Sequence, residues 1–146
     1  MKRLITLSFA ILVICSFVSC TLDTSTNGDL DGYWHLKSVD TVATNGSTDL
    51  REKRVFWSFQ HKLLQLVDRD SLLTSCLLRF EMTTTTLRIY SPYLFNREKG
   101  DQPLEDPTLL KPFGISLIDE TFLIEKLTGS KMVLLSATYR LTFEKF

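Results

Sequence analysis

Two histidines, three cysteines and six glycines in 146 residues leave little material for the commonest catalytic and cofactor-binding devices. The chain has no phosphate-cradling glycine loop, no nucleophile elbow, no Ser-x-x-Lys, no His-Glu-x-x-His and no Cys-x-x-Cys. His35 and His61 fall on outward or turn positions of the pattern described below, and a zinc site would need further ligands beside them. No metal and no cofactor is therefore expected. An excess of one charge is missing as well. With 17 basic against 17 acidic side chains there is no positive field for nucleic acid, which is excluded as a partner. A helical period long enough for a crossover connection is also absent. All four prolines (Pro92, Pro103, Pro107 and Pro112) lie between Ser91 and Glu120 and deny that stretch a long helix.

The one long apolar run stands at the N-terminus. Lys2 and Arg3 precede an almost unbroken apolar stretch from Leu4 to Phe17, and small Ser19 follows. The run is shorter than the ~20 residues that cross a bilayer, so it reads as a secretory leader over residues 1–19. Val18-Ser19-Cys20 resembles the lipobox of bacterial lipoproteins, with Phe17 where the commonest form of that motif has Leu. The resemblance implies that Cys20 becomes the first mature residue and carries a thioether-linked diacylglycerol and an acylated amino group. Such an anchor makes a membrane the first partner and does not release it. It also implies the bacterial outer membrane. Thr21-Leu22-Asp23 lacks the dense acidic run associated with surface export in such lipoproteins, which favours the periplasmic face. Cys15 then leaves with the leader and Cys20 is taken by lipid, so Cys76 has no disulfide partner. Loss of Lys2 and Arg3 takes the mature chain to 15 basic against 17 acidic side chains, a net charge of −2.

Residues 20–31 combine Ser, Thr, Asn, Gly and Asp with almost nothing to bury and are expected to form a flexible tether. Asn27, Asp29, Asp31 and Gly32 imitate the opening of a calcium loop, but the twelfth position, which should be a bidentate Glu, is Ser38. The remainder, 32–146, has the size of one domain. Apolar residues alternate with polar ones over 32–39, 54–59 and 76–82, 84–90 is extended and rich in β-branched residues, and 63–67, 122–127, 132–136 and 139–145 read as strands bounded by turns, about eight in all. Asn45-Gly46-Ser47 and Thr128-Gly129-Ser130 are turn signals, and Asp106-Pro107 would cap a short turn over 108–111. An all-β, up-and-down antiparallel barrel follows, because closure removes the edges that an open meander would expose.

Gly32-Tyr33-Trp34, on the first strand, resembles the Gly-x-Trp signature of the lipocalins. The terminal pattern Phe122-x-Ile124, Leu127-Thr128, Met132-x-Leu134 and Leu141-x-Phe143-x-Lys145 is similar to that of small lipocalin-like lipoproteins of Bacteroides-type bacteria. The resemblance covers about residues 31–146. It implies an arginine on the last strand packing over the tryptophan, for which Arg140 is the nearest candidate, although alternation puts it on the face opposite Leu141.

Glu81, Glu125 and Glu144 alternate outward beside Arg79, Lys126 and Lys145, as on a solvated exterior, and Cys76 sits in a strand as a small buried hydrophobe. No enzyme is expected. Trp34, Trp57, Phe59, Phe80, Phe122 and Phe143 all fall on inward faces. An eight-stranded interior either packs solid or holds one small ligand. In the second case these six rings would line a calyx for a small apolar molecule. In the first, the chain would serve as a protein-binding module of the cell envelope, through the 91–120 connection with Tyr93, Phe95 and Phe113 exposed.

Overall fold

The computed structural model describes residues 25–146. The leader, Cys20 and the first part of the tether therefore lie outside the described residues. The strands are β1 (Gly32–Thr41), β2 (Gly46–Asp49), β3 (Val55–Gln60), β4 (Leu63–Asp68), β5 (Cys76–Met82), β6 (Thr86–Leu94), β7 (Gln102–Pro103), β8 (Glu120–Leu127), β9 (Lys131–Leu135) and β10 (Tyr139–Lys145). Eight of them, all but β2 and β7, pair antiparallel with their neighbours in chain order, and β10 returns to β1, closing the predicted barrel. β2 forms a hairpin on the far half of β1, and β7 adds a short rung to β6.

Alternation drives this arrangement. Trp34 and Leu36 of β1, Trp57 and Phe59 of β3, Leu64 and Leu66 of β4, and Leu141 and Phe143 of β10 are all buried within one core. Strict alternation along β1 would turn Ser38 inward. The register instead shifts between Leu36 and Ser38, and Val39 takes the buried position. β2 escaped the sequence pattern because its four residues, Gly46 to Asp49, are all exposed and carry no apolar period. The turn before it is the expected one, with Asn45 in the left-handed region at φ 53°.

The barrel has two differently closed ends. At the base, a single 3-10 turn over Gly28–Leu30 drives Leu30 into the core, and the indole Nε1 of Trp34 donates to the Leu30 carbonyl at 2.8 Å. The last residues assigned to the tether thus belong to the packed domain. A single leucine among polar neighbours gave no periodicity from which to read this. At the mouth, the long connection after β6 folds back as a second 3-10 helix, Pro107–Phe113. The Asp106 carboxylate accepts from the Thr108 amide at 2.9 Å, as the Asp106-Pro107 signal predicted, and Gly114 ends the helix at φ 82°. Leu110, Phe113 and Ile115 are fully buried. The expectation that Phe113 is exposed is corrected by this: within this plug its ring is packed into the core, where burying its apolar surface is favourable. Tyr93 lies at the end of β6, which runs four residues beyond its predicted limit, and Phe95 is half-buried.

Candidate ligand site at the barrel mouth

The six inward rings are where alternation placed them, and none is more than 5% exposed. Five of them form one network. Trp57 meets Phe143 with ring centroids 5.0 Å apart, Phe122 at 5.9 Å and Phe59 at 6.1 Å, and Phe59 meets Phe80 edge-on at 5.1 Å. These are the offset and edge-to-face separations that aromatic pairs prefer. Trp57 also donates its indole N–H to the Phe113 carbonyl of the plug at 3.1 Å, so its one polar atom is satisfied from inside. At this level of the barrel the rings have one another as partners.

Trp34 stands apart, at the base. The cation over its ring is the Lys145 ammonium, 4.8 Å from the ring centroid, which also donates to the Asp29 carbonyl at 2.8 Å. Arg140 does not take this place. Its guanidinium reaches Glu125 on the outside at 2.6 Å, as its alternation parity requires, and Lys145 sits where the chain leaves the barrel beside Trp34.

A mostly apolar recess lies at the other end. It measures about 370 Å³ and is walled by Val39, Leu50, Val55, Leu72, Leu73, Pro112 and the Tyr139 ring, with Thr41 and Thr48 from the β1–β2 hairpin. That is within the range of small-molecule sites, and its walls have the expected apolar majority. Lys53 and Lys111 stand on its rim, and Asp68 and Asp70 belong to its lining. Both carboxylates are engaged. Asp68 accepts from the amides of Asp70, Leu72 and Leu73 at 2.9 to 3.0 Å, and Asp70 holds the Arg54 guanidinium at 2.6 Å. The Arg54 side chain and amide lower the Asp70 pKa.

Most of these residues escaped the sequence reading because they sit at strand ends and in loops, where alternation stops. The available signal was Leu50, Leu72 and Leu73, apolar residues standing in otherwise polar connections. The remaining polar candidates are engaged locally. His35 stacks on Phe56 and its Nε2 lies 2.6 Å from the Lys53 carbonyl, while His61 occupies the β3–β4 turn at φ 55°. Cys76 is buried, and burial pushes its thiol up to about 11, far from a reactive thiolate.

Comparison with known proteins accords with this architecture. Among curated proteins no match was found. Two solved structures share the fold. A lipocalin-like protein from Bacteroides uniformis is 24% identical, with 82% of this chain and all of that one covered at a TM-score of 0.61. An uncharacterized protein from Bacteroides eggerthii is 16% identical, with 80% of this chain and 98% of that one covered at a TM-score of 0.52. A family model described as a lipocalin-like domain matches residues 13–146. The chain belongs to this lipocalin-like family.

Proposed function

We propose that this protein is a non-catalytic binding protein of the bacterial cell envelope, anchored to the outer membrane through lipid on Cys20, on its periplasmic face. It takes a small apolar ligand at the barrel mouth. The observation that carries the reading is the recess of about 370 Å³ between the β1–β2 hairpin, the β4–β5 loop and the 3-10 plug. The ring-packed interior of the barrel supports the mouth over the centre as the binding level, and the burial of Phe113 in the plug weighs against the 91–120 connection as an aromatic docking surface. β1 enters the barrel at the base and ends at the mouth, so an anchor at Cys20 would join the end remote from the recess. Ligand would then arrive from the aqueous side.

Thermal melting of the chain from Thr21 onward tests the binding. Across a panel of fatty alcohols, bile acids and porphyrins at about a hundredfold their Kd, at least one class should raise stability by about 2.7 kcal/mol. Thr48→Trp, on an exposed rim position, should fill the recess and abolish the effect. A panel without any stabilising compound, or a response indifferent to Thr48→Trp, contradicts the reading. The anchor is tested separately by palmitate labelling in bacterial cells, which Cys20→Ala should eliminate.

A further inference from the structure

The tether is much shorter than its composition implies. From Ser25 onward the chain is fastened to the base: Nδ2 of Asn27 donates to the Asp31 carboxylate at 2.8 Å and to the His61 carbonyl of the β3–β4 turn at 2.6 Å, Leu30 is buried, and Lys145 donates to the Asp29 carbonyl. Only Thr21 to Thr24 separate Cys20 from Ser25. Those five residue steps reach at most about 18 Å, little more than half the ~33 Å that the ten residues of β1 cover. A membrane holding Cys20 is therefore within reach of the base.

The rim of the base carries groups suited to a headgroup layer. Lys62, in the β3–β4 turn, and Lys131, at the start of β9, are exposed and make no ion pair among the described residues. Carboxylates beside them have other partners. Glu81, which lines a shallow recess with Lys62, takes Arg88 and the Tyr90 hydroxyl, and Glu144, opposite Lys131 in the strand register, pairs with Lys37. Three large apolar side chains stand exposed on the same rim: Leu63 at the start of β4, Met82 at the end of β5, and Phe146 just past β10. Phe146 is held there by its amide, which donates to the Tyr33 carbonyl at 2.8 Å, and by edge-on contacts with the Tyr33 and Phe56 rings.

Resting on the reading of Cys20 as a lipid anchor, we propose that the base of the barrel is a docking surface for an anionic phospholipid bilayer. Lys62 and Lys131 lie among the lipid phosphates, and Leu63, Met82 and Phe146 enter the boundary between headgroups and acyl chains. The short leash keeps the local concentration of bilayer high, so weak contacts suffice to set the barrel upright with its mouth turned away.

The test attaches the chain chemically and so does not depend on lipidation in cells. The chain from Cys20 onward is coupled through that thiol to maleimide phosphatidylethanolamine in phosphatidylglycerol-containing nanodiscs that carry a gadolinium headgroup lipid; Cys76, being buried, is spared. Methyl NMR should show strong paramagnetic broadening at Leu63 and Met82, with Leu72 and Leu109 of the mouth sharp. A Gly/Ser insertion of about twelve residues after Thr21 adds roughly 20 Å of reach and separates docking from mere leashing. With it the base methyls should stay the more broadened, and the double variant Lys62→Gln with Lys131→Gln should then make base and mouth alike. Equal broadening at both ends of the unmodified chain, stronger broadening at the mouth, or a preference that vanishes on lengthening alone overturns the docking surface. Failure of the anchor itself would appear instead as palmitate labelling that Cys20→Ala leaves unchanged.

Discussion

Gly114 is the residue on which the mouth closes. Its φ of 82° lies in the left-handed region, and a Cβ there would stand 2.5 Å from Cδ2 of Leu141, itself fully buried. Backbone conformation and space both demand glycine, and its amide N–H donates back to the Lys111 carbonyl at 2.9 Å. Gly114→Ala should cost about 2 kcal/mol, the strain of a left-handed non-glycine plus local overpacking, read as a lower urea midpoint. An unaltered midpoint would show that the plug does not depend on this turn. At the base, the corresponding detail is Lys145 over Trp34. Gly-x-Trp was legible in the sequence because it is contiguous. Its cationic partner was less so: alternation turns Arg140 to the face opposite Leu141 and gives Lys145 the parity of Leu141 and Phe143, but only the β1–β10 register sets Lys145 opposite Trp34.

Elements with a regular period were legible, and elements held by single side chains were not. All eight barrel strands were read from the sequence, several from alternation that puts one face in the core and one in water, the others from β-branched content or apolar runs between turn signals. The 3-10 plug was seen only as a capped turn. Nothing in Thr108-Leu109-Leu110-Lys111 tells which leucine is buried, and in the structure Leu110 is inside while Leu109 is 45% exposed. Two buried carboxylates shape the loops of the mouth in the same non-local way. Asp68 gathers three amides of the β4–β5 loop. Glu120, at the start of β8, accepts from the amides of Ser116 and Leu117 at 2.7 and 3.1 Å and from the Ser116 hydroxyl at 2.8 Å. Each carboxylate replaces water with a complete set of donors, so its burial is compensated. Nothing in their sequence positions marks them as buried. The recess inherits this illegibility, for its walls are loops fixed by Asp68 on one side and by the plug on the other.

At the scale of the whole molecule, the barrel divides its length between stability and binding. The rings of Trp57, Phe122 and Phe143 pack inside the barrel, Phe59, Phe80, Leu30 and the Trp34–Lys145 contact lie toward the base, and the recess lies at the mouth beside the plug. The inward aromatic set was visible in the sequence. Whether it would enclose a cavity was not, because identical alternation describes a lined calyx and a packed core, and only side-chain volumes in three dimensions separate them. The central claim is that a ligand binds above the rings and not among them. Its most direct test is a methyl-resolved NMR titration of the chain from Thr21 onward with 1-decanol. Saturable shifts should appear at the methyls of Val39, Leu50, Val55 and Leu73, with those of Leu36 and Leu87, buried deeper in the barrel, unmoved. Shifts centred on Leu36 and Leu87, with the mouth methyls silent, would place the ligand among the rings and contradict the account.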